Sequence, residues 1–366
     1  MMASPVSASA FGRTAVDLLP PTTPSPLKIE EEESLATDYT LTLPPSEYLE
    51  KQTSMTMDAE RIKRKTEEEA NNRLWNRLHA GIRDVHERAR TNPFLLNLIQ
   101  GQMTCSKAYV VYLCNLYCLH AALEQAQQTI EDKWGEGFFV YRELFRSKKI
   151  LADIKVWSVF NETAHLFADK NPESPEFVRN IEPYIQESTL KLARSLKEDA
   201  LSDLPRTFGC MYALYGTIMS GGQFVKKGVK ISFLERLQWQ IEEYQEEIKN
   251  PSTAQDTSSD SLAYREKEYS LAKTNMIQAA LTSSALKEKM AEESVALFSF
   301  DKDGFNIPLF KREWHQSLSD LPEKLQLKEE ALKLFEAQLI ECAGEAIGTV
   351  LDTIAALEEK LRKGVI

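Results

Sequence analysis

An all-α protein, with an antiparallel helical bundle at its centre, is the architecture encoded by this 366-residue chain. Apolar residues recur at spacings of three and four over long stretches, the mark of one buried helix face. Alternation with a period of two, the mark of a half-buried strand, is almost absent. No repeat of roughly 20 to 50 residues is present, which excludes solenoids and propellers.

Composition narrows the function. At 43% hydrophobic the chain can bury a core, and at 27% charged it is expected to be soluble. The formal net charge of -11 argues against general nucleic-acid binding, which needs a basic surface. No apolar run reaches the ~18 residues of a membrane span, and the chain closes on the charged run 357–366, so no transmembrane anchor is expected. The five cysteines, Cys105, Cys114, Cys118, Cys210 and Cys342, form no C-x-x-C pair. They read as free thiols, and the compartment as a reducing cytoplasm. Cys114 and Cys118, four apart on one helix, supply only two metal ligands.

Taken in order, residues 1–57 are broken by Pro5, Pro20, Pro21, Pro24, Pro26, Pro44 and Pro45 around an acidic run, Glu30 to Glu33. Such a tail buries no core and is expected to be disordered. It has no secretory apolar region. Its acid-free start with Arg13 is compatible with an organelle transit role. The helical domain then spans 58–366. One helix is predicted from Asp58 to about Arg90, its apolar stripe carried by Leu74, Leu78, Ile82, Val85 and Ala89. Thr91-Asn92-Pro93 ends it, and a short helix follows from Leu95 to Gln100, stopped by Gly101. Ser106 to Lys133 is apolar nearly all round in its first half and should be central. Residues 145–170 are helical with Ile150, Leu151, Ile154, Trp157 and Phe160 inward. Glu176 to Glu198 is one amphipathic helix with a kink at Pro183.

Residues 231–293 differ: two charged helical segments flank the polar linker 250–260. They read as an inserted helical arm with a flexible break, a surface available to a protein partner. Asp301 to Asn306 is a turn, lacking the later ligand spacing of a calcium loop. A short helix covers Leu309 to Leu318, and a last one Lys328 to Arg362.

The unusual stretch is Arg206 to Lys227. Phe208, Met211, Tyr212, Tyr215, Met219 and Phe224 form a broad helical face, yet Gly209, Gly216, Gly221 and Gly222 lie within it. Each interior glycine costs a helix roughly 1 kcal/mol relative to alanine. Two readings stand. The helix ends near Ser220 and restarts after Gly222, or it is kinked and lays bare backbone against something flat. Tyr215 followed by Met219-Ser220-Gly221-Gly222-Gln223 and Lys226-Lys227 resembles the distal helix of heme oxygenases, a Tyr-x-Gly-Asp-x-Ser-Gly-Gly-Gln run that crosses the open face of the heme.

A second stretch carries the same resemblance. Val85-His86, Phe94, Gly101-Gln102-Met103-Thr104, Leu116-Tyr117 and Ala122-Leu123-Glu124 match the family's N-terminal signature in order. The resemblance covers about 74–230 and resumes more faintly over 297–357, leaving the tail and the 231–293 segment outside. It implies a heme oxygenase-like helical fold with heme as both substrate and cofactor. It makes His86 the axial ligand to iron, bound through a neutral nitrogen. It places Tyr212, Gly216, Ser220, Gly221 and Gly222 at the heme. It sets His79, Arg83, Lys311 and His315 where the family keeps the cations that hold the propionates. A separate reductase would supply electrons. The departure lies at the aspartate that orders distal water. Aligned without gaps, Thr217 and Ile218 occupy the Gly-Asp positions; shifted by one, Gly216 keeps the glycine and Thr217 replaces the aspartate. A threonine holds a water but cannot relay a proton as a carboxylate does.

Three functions follow as expectations: oxidative opening of heme to biliverdin, iron and carbon monoxide; a non-catalytic heme-binding or protein-binding descendant; and a metal oxidase. Glu162-x-x-His165 has the spacing of di-iron bundles, but no second copy exists in the sequence, so it reads as a solvated helix face.

Overall fold

The computed structural model describes residues 73–135, 138, 141–160, 174–249, 271, 273–300 and 305–365. All lie within one structural unit, 63–366. The expected tail, the polar linker 250–260, Glu162, His165 and the turn at 301–304 lie outside the described residues. Among those described there is no strand.

Of the predicted first helix, residues 58–72 lie outside the described residues, and the described part is two helices. α1 spans Leu74–Gly81 and α2 spans Arg83–Arg90, with Ile82 at φ -97°, ψ 5° between them. The break follows Gly81, whose missing side chain makes room for Ile340. α3, Pro93–Gln100, starts two residues earlier than expected because Asn92 caps it, accepting a hydrogen bond from Leu95 N. Gly101 ends it in the left-handed region. α4, Ser106–Trp134, is the central helix, its first half buried nearly all round. α5 is Ser147–Ser158, and the Trp157 indole donates to the Ser294 carbonyl at 2.9 Å.

The helix predicted over 176–198 breaks rather than kinks. α6 is Pro175–Ile181, a 3-10 turn covers Glu182–Tyr184, and α7 is Glu187–Glu198. Pro183 gives no N–H to continue the spiral. The loose ends are satisfied from α4: Asn115 Nδ2 donates to Tyr184 O at 2.9 Å, and Gln186 N donates to Asn115 Oδ1 at 2.8 Å. A buried side chain thus replaces the missing ladder.

α8, Leu204–Ser220, and α9, Gly222–Lys249, meet at Gly221. The helix does stop at Ser220 and restart at Gly222. Phe224, expected on the buried face, is exposed: it lies nine positions past Tyr215, on the opposite side of the spiral, while Ile218, Gly222, Val229 and Phe233 carry the buried face onward. The segment expected as an arm is anchored. Phe233, Leu237 and Ile241 of α9 are buried, as are Ile277 and Ala280 in the helical stretch 273–282. Phe233 packs edge-on against Trp157 and Phe160. α10, Ser284–Glu293, returns to α9, where Lys230 pairs with Glu292 at 2.6 Å.

α11, Ile307–Lys324, runs six residues past its expected end, and α12, Glu329–Arg362, closes the fold. α8 and α12 share the most extensive helix contact. α4 packs against α5 and α7, α9 against α3, and α11 against α1. Cys114, Cys210 and Cys342 are buried, Cys105 and Cys118 partly so, and all five are free thiols. Among the described residues no three metal-binding side chains converge, and no helix is long and apolar enough to cross a membrane.

The α8–α12 contact is set by Gly209. A Cβ there would lie 2.7 Å from Leu339 O and 2.9 Å from Ala343 N, both backbone. Neither atom can yield without moving α12. Gly209→Ala should therefore cost about 3 kcal/mol in urea unfolding. Gly344→Ala, where a Cβ meets nothing within 4 Å, should gain roughly 0.5–1 kcal/mol.

Candidate functional site

A cleft of about 390 Å³ opens between α1–α2, α8, α11 and the middle of α12. Its volume is in the range of small-molecule sites. Trp75, His79, Ile82 and His86 form the first wall. Their spacing of four, three and four keeps one helical face across the break at Ile82. The His79 and His86 rings stand edge to face, centroids 6.0 Å apart.

The second wall is a strip of small residues on α8. Tyr212 and Ala213, Gly216 and Thr217, then Ser220 and Gly221 recur every four residues. A Cβ at Gly216 would meet nothing within 4 Å, and one at Gly221 only Thr217 O at 3.6 Å. The backbone is bare because the cleft lies beside it. The Thr217 hydroxyl donates to Ala213 O at 2.7 Å, so its proton is committed to its own helix. Ile218 is buried in the core instead. Of the two residues that the alternative alignments offer for the aspartate position, Thr217 lines the cleft and Ile218 does not.

α11 contributes Lys311 and His315, one turn apart. Lys311 Nζ donates to Ser220 Oγ at 2.5 Å, bridging α11 to the end of α8. Burial pulls its pKa below the ordinary lysine value. The His315 ring lies flat on Trp75, centroids 4.5 Å apart at 13°. Burial first, then Lys311 and His79, pushes His315 down to about 4. Tyr212 lies flat on Trp314 at 5.8 Å, and burial raises its hydroxyl to about 12. His86 is lowered, mainly by burial and next by His79. Among the described residues no Asp or Glu lines the cleft.

The structure thus brings together His79, His86, Tyr212, Gly216, Thr217, Ser220, Gly221, Lys311 and His315. It leaves out two expected residues. Arg83 is exposed and does not line the cleft; Ile82, one turn before His86, takes that place. Gly222 is buried against Phe298, whose Cδ1 would be 2.9 Å from a Cβ there. Trp75, Ile82, Ala213 and Ile347 line the cleft without having been singled out. The four-three-four spacing with the histidines could have found the first two; Ile347 carried no such signal.

A model of the heme oxygenase family matches residues 72–338. The chain belongs to that family. Heme oxygenase-1 of the cyanobacterium Synechocystis, solved in complex with heme, is similar at 15% identity with a TM-score of 0.50, covering 80% of this chain and 96% of its own. Heme oxygenase-2 of Synechocystis, in complex with heme and NO, gives 17% and 0.48 over 79% and 88%. The heme oxygenase of Leptospira interrogans gives 13% and 0.47 over 76% and 98%. The likeness to the first of these, at a TM-score of 0.50, shows the heme oxygenase fold. No curated protein sequence matches the chain.

Two of the five imidazoles should resist protonation, His315 in the cleft and His120 behind it. His120 is buried against Tyr215, its ring nitrogen Nδ1 is unpartnered, and burial pushes it down to about 3. Below about pH 6.5 the unfolded chain takes up protons that these two refuse when folded, so their contribution to stability, present above 6.5, is lost as pH falls. A histidine NMR titration should show two resonances unmoved between pH 8 and about 5, assigned by their disappearance in His120→Phe and His315→Ala.

Proposed function

We propose that the cleft binds heme with His86 as the axial ligand, and that the protein opens the ring oxidatively to biliverdin, iron and carbon monoxide with electrons from a separate reductase. One observation carries the reading: an acid-free cleft, in a protein of net charge -11, sets a histidine with a depressed pKa and a lysine beside a strip of bare backbone. The residues fit the group. A flat macrocycle with anionic edge groups needs an unobstructed face, a neutral nitrogen donor and a cation. Gly216 and Gly221 leave the face open. His86, its imidazolium disfavoured by burial, keeps a nitrogen lone pair for a metal. Lys311 supplies the cation.

When bound, heme is at once the substrate and the group that activates oxygen. The chain's own part is to hold, orient and exclude water. Trp75, Ile82 and Tyr212 present apolar surface to the ring. Lys311 would exchange its Ser220 partner for a ligand carboxylate, a stronger hydrogen bond because both partners are charged. Thr217 Oγ1 accepts a hydrogen bond from water while its own proton stays on Ala213 O, so it positions a water without donating to it.

A second reading, heme binding without ring opening, is favoured by one observation: no carboxylate among the cleft residues could relay protons. One experiment separates the two. Hemin is added to the purified protein, then a reductant in air, and the absorption spectrum is followed. Ring opening requires that the heme Soret band shift on binding and then decay into a biliverdin band. A Soret complex that persists supports the second reading, and no specific complex refutes both.

His86→Ala should weaken hemin binding about tenfold or more and change the Soret position, since a neutral imidazole is the only axial donor it removes. Thr217→Asp should raise the yield of biliverdin per bound heme if proton delivery limits the wild-type protein. An unchanged yield would place the limit elsewhere.

A further inference from the structure

We propose that His79 and His86 together form a second kind of site in the cleft, a two-nitrogen clamp for one bare divalent transition-metal ion of the copper, nickel and zinc class. It goes beyond the macrocycle reading and shares with it only His86. Both residues line the cleft, and both are exposed, so an ion reaches them without any movement of the fold. They belong to different helices: His79 lies in the last turn of α1 and His86 in the middle of α2. Seven residues of straight helix put two backbone positions about 10.5 Å apart along the axis. The side chains cross much of that distance, and the ring centres stand 6.0 Å apart.

That separation suits a shared ion. A metal binds an imidazole nitrogen at about 2.0–2.1 Å, which sets it roughly 3.2 Å from the ring centre. Two rings on one ion then have centres about 5.2 Å apart at a tetrahedral angle and about 6.4 Å apart when opposed. The observed 6.0 Å falls between these limits. The planes cross at 64°, so the pair is not a stack that an ion would have to break. Turning a ring about its Cβ–Cγ bond, a soft rotation for histidine, aims a nitrogen at the space between. His315 adds no third arm. Its ring lies flat on Trp75 at 4.5 Å, and among the described residues no three metal-binding side chains converge. The ion's other positions open onto the cleft, for water or a small donor, as at a catalytic rather than a structural metal site. The donors choose the ion. Imidazole suits copper, nickel and zinc, whereas magnesium and calcium take oxygen ligands.

The test uses the full chain, without a histidine tag and without hemin, at pH 8, where free imidazole is neutral. Ni2+, Zn2+ and Mg2+ are titrated in turn and followed by calorimetry. Nickel and zinc should bind at one ion per chain, tighter than about 100 μM, and magnesium should give no heat of binding. His79→Ala and His86→Ala should each weaken nickel about tenfold or more, and the double variant should be no worse than either single one, because the chelate is lost with its first donor. Cu2+ added at one ion per chain should show coupling to two coordinating nitrogens in its EPR spectrum. That spectrum needs no variant, so a variant that fails to fold leaves the decision intact. Nickel binding unchanged in His79→Ala, a copper spectrum with one nitrogen, or no nickel bound at 100 μM each overturns the clamp. Hemin titrated into the metal-free chain decides the macrocycle reading separately. Hemin bound by a chain that takes no nickel overturns the clamp alone, and nickel bound on both histidines by a chain that takes no hemin supports the clamp alone.

Discussion

The backbone contact between α8 and α12 at Gly209 is the constraint on which the site depends. α8 has two faces with opposite requirements. One must be pressed into the core so that the helix cannot shift. The other stays bare along the cleft. The sequence meets both with the same residue type. At Gly209 the absent side chain lets two helix backbones meet, and at Gly216 it leaves open space. The start of α8 is tied to α12 by charge as well. Asp203 caps the helix at Arg206 N, and Arg206 bridges Asp203 at 2.9 Å and Glu345 at 2.7 Å. α12 also carries the first wall. Ile340 fills the space left at Gly81, and Glu336 accepts from Arg77 Nε at 3.1 Å. One long helix thus fixes the separation between the histidine wall and the bare strip.

Polar groups behind α8 set its rotation and the position of its end. Gln127 of α4 donates to the Tyr215 hydroxyl at 2.8 Å, which holds Tyr215 inward and so turns Gly216 and Thr217 toward the cleft. At the far end, Asp153 of α5 is fully buried and pushed up to about 8 by that burial, yet it accepts from the backbone N–H groups of Ala296 and Leu297. Those bonds fasten the short turn Ala296–Phe298. Phe298 in turn packs on Gly222 and accepts from Gln223 at 3.0 Å. The junction at Gly221 is therefore held from α5, and Gly222 serves that packing rather than the cleft.

Much of this was legible in the sequence, and the failures share a cause. His86 and the α8 strip could be found because the relevant information is local: a spacing, a run of glycines, a signature of consecutive residues. Arg83 was misplaced because whether Ile82 or Arg83 faces the cleft depends on how α1 and α2 pack on α12, through contacts such as Gly81 with Ile340, more than 250 positions away. Pro183 was read as a kink because the alternative, a full break, is tolerated only when Asn115 of another helix supplies the missing partners. The 231–293 segment was read as an inserted helical arm with a flexible break from its charge and polar linker. Within it Phe233, Leu237 and Ile241 repeat every four residues, and that stripe docks the helix. The misplaced Arg83 and the break at Pro183 each show a long-range contact overriding a local preference.

The chemistry of the cleft follows from a choice about carboxylates. A carboxylate on the wall can order water and pass protons, but it also repels an anionic ligand and competes with it for the lysine. Among the described residues no acid lines the wall, although the protein as a whole is strongly acidic. Lys311 is left with a neutral partner, Ser220, and His86 has only the exposed Glu87 nearby to favour its charged form, while burial and His79 oppose it. Thr217 keeps its own proton on Ala213. On the proposed heme reading, all three features act in the same direction: they would strengthen the hold on an anionic, metal-centred ligand and leave proton delivery to water rather than to the wall.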